Sequence, residues 1–256
     1  MIARGDGPPL VLIPPLPGFK ESWLACVEPL SRRFRVVTFD LRLARGDHDG
    51  WALALDDLDR VLAAFAPGRV GVMGHSLGGA LAQRWTLARP ERVKALVLSS
   101  SFARLTTPRG DAWARFIEQP LVLASQRLLP KRAALALAAR FARRGAWVYD
   151  PRCDARTLEF VRACIRDVPV SLALAAVRLA MRHDTRADLA RIEVPTLIVV
   201  GERESGFARA AANELAGAIR GAELRVSPGV AHLHLFSSAE WLVDQVTAWL
   251  APRLAA

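Results

Sequence analysis

Short apolar runs separated by helix-length segments constrain the fold of this chain more than any other feature of its sequence. Such runs, rich in valine, isoleucine and leucine, are typical of strands that are buried on both faces. Segments with helical periodicity, such as Trp51–Ala66 and Gly206–Ile219, lie between them. The alternation predicts an α/β fold with a doubly wound, mostly parallel sheet of about six strands. The six runs are Leu10–Ile13, Val36–Phe39, Val70–Met73, Ala95–Leu98, Thr196–Val200 and Leu224–Val226.

The alternation is interrupted once, between Ser101 and Val194. This stretch has helix-like composition over Lys131–Arg144, Thr157–Arg166 and Ser171–Arg182, with no run that indicates a strand. No low-complexity linker separates it from its neighbours, so we expect an excursion from a single domain. The predicted organisation is a core of residues 1–101 and 191–256, with a helical cap inserted at residues 102–190.

A Gly-x-Ser-x-Gly motif follows the third apolar run, with Ser76 between Gly74 and Gly78. Helical sequence continues from it, which is the strand-turn-helix context of a nucleophile elbow. Such a turn strains the serine backbone, and small residues at both flanks leave room for it. The turn also directs the N–H of Leu77 and the helix amino terminus at an oxyanion forming beside the serine. We therefore predict Ser76 as a nucleophile.

At these residues the chain resembles the α/β-hydrolase fold family, and the resemblance extends over most of its length. The order of nucleophile, acid and histidine along the chain is also that of the family. It implies a serine hydrolase that cleaves a carboxylic ester or thioester through an acyl-enzyme on Ser76, without a metal or organic cofactor. The segments that carry the resemblance are VLIPPLPGFKESW, FRVVTFDLR, RVGVMGHSLGGALAQRWTLARPERVKALVLSSS and VPTLIVVGERE through GVAH.

The resemblance assigns the general base to His232, in the loop before the last helix, with His234 as the alternative two residues further on. It assigns the acid to Glu204, at the position where the family usually has aspartate after a Gly-x-x spacer. Glu202 is the alternative acid. A glutamate can orient the imidazole as an aspartate does, with one more methylene of reach.

The same resemblance places one oxyanion donor in the loop after the first apolar run, where Pro14-Pro15 replaces the common His-Gly pair. Proline has no N–H, but the expected donor is the next residue, Leu16, which retains its own. The predicted oxyanion hole therefore consists of the backbone N–H groups of Leu16 and Leu77.

A second resemblance, to maspardin, offers a function of another class. It depends on the Leu-Ile-Pro-Pro segment, on Ser101-Phe102 and on the run at 235–240. That branch of the fold is known chiefly for binding and has a degraded triad, so the alternative is a non-catalytic scaffold. The presence of His232 favours the enzyme.

Composition limits the partners. The formal charge is +10, but only three of the 35 basic residues are lysine. Arginine in place of lysine, together with abundant alanine, indicates a compositional bias of the source genome and not a phosphate-binding surface, so we expect no nucleic-acid partner. Residues 102–190 hold 16 basic and 8 acidic side chains, which leaves open an anionic small-molecule substrate drawn to a basic cap. Apolar stretches are interrupted by charges, so we expect no secretory signal or transmembrane segment and a cytoplasmic protein. The sequence leaves the oligomeric state open.

Overall fold

A computed structural model gives the fold of the chain. It describes residues 1–42, 50–105, 121, 124, 125, 128–143, 159, 162, 163, 166 and 170–255. The predicted helix Thr157–Arg166 lies largely outside the described residues.

One sheet contains the seven strands of the described chain, in the order β1-β3-β2-β4-β5-β6-β7. The strand β1 pairs antiparallel with β3, and every other neighbouring pair is parallel. This confirms the predicted α/β class and the mostly parallel sheet. The strands are β1 (Ile2–Arg4), β2 (Pro9–Ile13), β3 (Arg35–Thr38), β4 (Val70–His75), β5 (Val93–Ser99), β6 (Thr196–Gly201) and β7 (Glu223–Ser227).

The strand β1 is the one that the expected count of about six omits. It is only three residues long, and its side chains are exposed or half-buried, so it carries no apolar run for a sequence pattern to detect. It forms because its backbone can pair with the free edge of β3, with Ile2 opposite Thr38.

Helices cover both faces of the sheet. Alternate side chains of β2 enter two different cores: Val11 and Ile13 belong to the core that includes residues of α2, α3 and α6, whereas Leu10 and Leu12 belong to the core that includes residues of α1 and α8. This explains why the central strands read as continuous apolar runs. The helices are α1 (Leu24–Ser31), α2 (Gly50–Phe65), α3 (Leu77–Ala88), α4 (Lys131–Arg143), α5 (Val170–Met181), α6 (Gly206–Ala218), α7 (His234–Ser237) and α8 (Ala239–Ala255).

Residues 102–190 leave and rejoin the core at neighbouring points. The N–H of Thr185 donates to the carbonyl of Ala103 at 3.0 Å, and its hydroxyl donates to Gln83 on α3 at 2.7 Å. His183 is buried beside them, and burial, helped by the nearby charge of Arg84, lowers its pKa to about 3. The assignment of residues 102–190 to a cap stays a prediction.

Parallel strands present their carboxyl ends at one edge of the sheet, where sites in open α/β folds form. Here β4 ends at His75, directly before Ser76, β5 ends at Ser99 and β6 at Gly201, and the loop after β7 carries His232. The topology therefore brings residues that are far apart in sequence to this edge.

Candidate active site

The turn between β4 and α3 holds Ser76 in a strained conformation. Its φ of 54° lies in the left-handed region, which a non-glycine residue seldom adopts. Its N–H donates to the carbonyl of Ser99 on the neighbouring strand at 2.8 Å. A Cβ atom on Gly74 would collide with the backbone of Gly78, and one on Gly78 would collide with the backbone of Ile13. The two glycines are thus required by close backbone approach, as the motif predicts.

The loop after β7 places His232 beside this serine. The Nε2 atom of His232 lies 3.1 Å from the Oγ atom of Ser76. On the opposite side of the ring, Nδ1 lies 3.2 Å from Oε2 and 3.4 Å from Oε1 of Glu204. The structure therefore brings together the three side chains that the sequence singled out as nucleophile, base and acid. A hydroxyl within hydrogen-bond reach of an imidazole that a carboxylate orients is the arrangement of an activated nucleophile.

The turn after β6 separates the two candidate acids. The carboxylate of Glu204 is buried and faces His232, whereas Glu202 is exposed and accepts a hydrogen bond from the N–H of Gly229 at 2.6 Å. Burial would raise the pKa of the Glu204 carboxyl, but attraction to His232 and hydrogen bonds from His232 and Ser100 hold that pKa below its usual value. Glu204 is therefore an ionised group directed at the imidazole.

Two backbone amides flank the serine. Leu77 is the first residue of α3, directly after Ser76, and Leu16 lies in the loop after β2. A Cβ atom on Gly78 would also meet the carbonyl of Pro14, so the β2 loop lies close against the start of α3. Among the described residues, neither the Leu16 nor the Leu77 N–H donates a hydrogen bond. Both remain candidates for an oxyanion hole.

Three buried residues lie behind the acid, and the sequence did not predict this position for any of them: Ser99, Ser100 and His234. The Ser100 hydroxyl donates to Oε1 of Glu204 and lies 3.4 Å from Nδ1 of His234. His234 was weighed only as an alternative base or a loop residue, yet it begins α7 and its Nε2 lies 2.7 Å from Oγ of Ser99. No motif marks these residues, because only the fold brings residues 99, 100, 204 and 234 together.

Accessibility distinguishes Ser76 from Ser100 as a nucleophile. Both hydroxyls lie near an imidazole, but Ser100 is only 4% exposed and lies between Glu204 and His234. Ser76 is half-buried, so a substrate carbonyl can approach it. The geometry therefore favours Ser76, with His232, as the reacting pair.

The described residues give two further observations about possible ligands. They contain no cluster of three or more histidine, cysteine, aspartate or glutamate side chains placed to hold a metal ion. In the same parts of the chain, no helix has the length and apolar character needed to cross a membrane.

Comparison with known proteins agrees with this geometry. A family model described as "alpha/beta hydrolase fold" matches residues 8–239. The pimeloyl-[acyl-carrier protein] methyl ester esterase of Nitrosomonas europaea is 31% identical over 246 residues, covering 94% of each chain. The corresponding esterase of Serratia marcescens is 28% identical and covers 90% of this chain and 89% of its own.

A comparison with solved structures also finds a hydrolase of similar fold. A crystal structure of a hydrolase from Pseudomonas aeruginosa superposes with a TM-score of 0.74 at 25% identity, covering 97% of this chain and 92% of that one. The resemblance to maspardin receives no support from these comparisons.

Proposed function

The chain belongs to the alpha/beta hydrolase fold family, and from this premise we propose that it is a serine esterase whose nucleophile is Ser76. The observation that carries the proposal is the continuous contact from Ser76 through His232 to Glu204, at 3.1 Å and 3.2 Å. A hydroxyl becomes a useful nucleophile when a positioned base removes its proton. The imidazole of His232 and the carboxylate of Glu204 lie within hydrogen-bond reach in the order that this role needs, which supports the proposal.

The reaction proceeds in two halves. The Oγ atom of Ser76 attacks the ester carbonyl carbon while Nε2 of His232 takes its proton, and the N–H groups of Leu16 and Leu77 stabilise the oxyanion. Collapse of the intermediate breaks the bond to the alcohol, which leaves with the proton from His232. Water then attacks the acyl-enzyme by the same route, releasing the acid and restoring Ser76. Glu204 stays ionised throughout and stabilises the imidazolium.

The substrate class is inferred from the relatives. The Nitrosomonas europaea protein, which aligns over nearly all of this chain, is named for the methyl ester of a pimeloyl group on an acyl-carrier protein. We infer that this chain cleaves a carboxylic ester with a small alcohol leaving group. A thioester meets the same acyl-enzyme chemistry and is the second substrate class to test.

The first experiment uses the native chain. A fluorophosphonate is expected to label it once per molecule, and a short p-nitrophenyl ester and a methyl ester are both expected to be hydrolysed, because a base-activated serine attacks phosphorus and carbonyl carbon alike. Labelling is measured by intact mass and hydrolysis by release of acid. A folded chain that neither labels nor hydrolyses would contradict the proposal and favour a binding scaffold.

A second prediction concerns the charge of residues 102–190. The described part of this segment carries four exposed arginines that form no ion pair with another described residue. We expect kcat/KM for an anionic ester, such as the monomethyl ester of a dicarboxylic acid, to fall as the salt concentration rises. The reason is that the Debye length, over which charges attract each other in solution, shortens to about 8 Å near physiological ionic strength. These arginines are Arg132, Arg140, Arg178 and Arg182.

A neutral ester of similar length, measured on the same preparation, is the control, because salt that altered the protein itself would slow both substrates alike. Parallel salt curves for the two esters would contradict electrostatic steering. If only the anionic ester responds, Arg140→Gln is the first variant to make. The side chain of Arg143 and all of Arg144, which the sequence analysis places in the same basic segment, lie outside the described residues.

A further inference from the structure

A second set of hydrogen-bonding side chains lies behind Glu204, away from Ser76. The Ser100 hydroxyl contacts Oε1 of Glu204 and lies 3.4 Å from Nδ1 of His234. The Nε2 atom of His234 lies 2.7 Å from Oγ of Ser99, which in turn lies 2.9 Å from Nδ1 of His75. All five residues are buried. The reaction described above uses only Glu204 among them.

We propose that Ser100, His234, Ser99 and His75 form a chain of hydrogen bonds in which every donor points toward Glu204, and that this chain positions the Glu204 carboxylate for His232. We call this chain the second arm of contacts to Glu204, the first being its contact with His232. The inference rests on the proposed function for the role of Glu204. The four residues are positioning residues, since their observed side-chain contacts lead to the Ser76 hydroxyl only through Glu204 and His232.

Proton counting fixes the direction of the arm. An ionised carboxylate only accepts, so the Ser100 hydroxyl must donate to Glu204 and has no second hydrogen to give. Its contact with His234 is then a bond donated by Nδ1–H of that ring. In a neutral His234 ring that carries its hydrogen on Nδ1, Nε2 is bare and accepts from the Ser99 hydroxyl 2.7 Å away. Ser99 can then only accept from Nδ1–H of His75.

The opposite direction satisfies fewer groups. It would place lone pairs of Ser100 and His234 Nδ1 against each other, and it would put a hydrogen on Nε2 of His75. That nitrogen is buried without a hydrogen-bond partner among the described residues. A buried N–H without an acceptor is rarer and more costly than a bare ring nitrogen.

The surroundings of His75 agree with a neutral ring. Burial, first, and the neighbouring rings of His232 and His234 hold its pKa well below the usual value, and a contact with the backbone of His232 opposes them only in part. The titratable groups that act on Glu204 are likewise His232 and His234.

The backbone at Ser100 gives an independent indication. Its φ is 45°, in the left-handed region where glycine is the residue without strain. The chain has a serine there, and its hydroxyl reaches Glu204. A non-glycine residue held in a strained conformation supports the hypothesis that its side chain is used.

The first test reads the ring tautomers directly by long-range proton–nitrogen NMR on the full-length chain. The chain has five histidines, so single substitutions of His48 and His183 assist assignment. We expect hydrogen on Nδ1 and a bare Nε2 in both His75 and His234. Hydrogen on Nε2 of either ring overturns the proposal. This measurement does not use activity, so it stands whether or not the chain proves to be an esterase.

The second test replaces Ser100 with glycine, which removes the hydroxyl and suits the positive φ. We expect kcat to fall about tenfold with KM nearly unchanged, because the carboxylate loses a charge-assisted hydrogen bond that fixes it. The acid limb of the pH–kcat/KM profile should move to higher pH. A carboxylate with one donor fewer stabilises the His232 imidazolium more strongly.

Controls distinguish positioning from general damage. Ser227→Ala removes another buried hydroxyl, one with no partner among the described residues, and is expected to leave both kcat and the acid limb unchanged. His234→Gln removes the Nδ1 donor and should move the acid limb in the same direction as Ser100→Gly, by less. An unmoved acid limb in folded Ser100→Gly, or the same loss in Ser227→Ala, overturns the proposal. A native chain without esterase activity would instead overturn the proposed function.

Discussion

Ser76→Ala is expected to reduce ester hydrolysis to background, a loss of about 10⁴-fold or more, and to abolish fluorophosphonate labelling. The hydroxyl is half-buried at the edge of the sheet, 3.1 Å from the only imidazole nitrogen that reaches it among the described residues. Without this oxygen no acyl-enzyme can form there. Water activated by His232 alone would lack the position that the turn provides.

The substitution should leave the fold intact. The φ of 54° is equally strained for alanine and for serine, and the N–H of residue 76 can still donate to Ser99. Circular dichroism and thermal melting should therefore match those of the native chain. Labelling that persisted in folded Ser76→Ala would show that another residue is the nucleophile, with Ser100 the first to examine.

The turn at Ser76 was predictable from sequence because it depends on local backbone geometry. Gly74 and Gly78 are needed wherever a strand turns this sharply into a helix, so the motif and its context predict the turn directly. The central strands were predictable for a similar reason, since burial on both faces leaves continuous apolar runs. The edge strand β1 needs no such run and gave no signal.

The choice between Glu204 and Glu202 was open in the sequence because both follow the same strand. The structure distinguishes them through one turn, in which the N–H of Glu204 donates to the carbonyl of Gly201 at 3.2 Å. That turn buries one carboxylate beside His232 and leaves the other against Gly229. Turn geometry of this kind depends on the neighbouring loop and is not encoded in residue type.

The second arm was beyond sequence reasoning for a different reason. Ser99, Ser100 and His234 belong to no local pattern, and their contacts join residues separated by more than a hundred positions. In the sequence, Ser99-Ser100-Ser101 is a run of three serines that matches no catalytic motif. In the fold, the hydroxyl of Ser100 contacts Glu204, the candidate acid that follows the next strand.

Glu204→Gln is expected to lower kcat by about a hundredfold or more with little change in KM. The two neighbours of the side chain dictate how the amide must lie. Ser100 has a hydrogen to donate, so the amide oxygen faces Ser100 and the amide NH₂ faces Nδ1 of His232. A donor at that position favours a bare Nδ1 and puts the hydrogen on Nε2, where His232 can no longer accept the proton of Ser76.

Glu202→Gln is the matched control, since it makes the same chemical change two residues away. Its amide oxygen can still accept from the N–H of Gly229, so we expect kcat to change by less than about threefold. The reverse ranking would assign the acid to Glu202, and small equal effects would mean that another group orients His232. Steady-state kinetics of both variants on one ester give the comparison.

The pH profile also gives the direction in which each substitution shifts the acid limb, which the rates alone do not show. Removing the negative charge of Glu204 destabilises the His232 imidazolium, so the acid limb of kcat/KM should move to lower pH in Glu204→Gln. Ser100→Gly leaves that charge in place with one donor fewer and should move the limb to higher pH. A general loosening of the site would shift both profiles in the same direction. Opposite shifts would therefore identify Glu204 as the charge that stabilises the His232 imidazolium, and Ser100 as the donor that weakens this stabilisation.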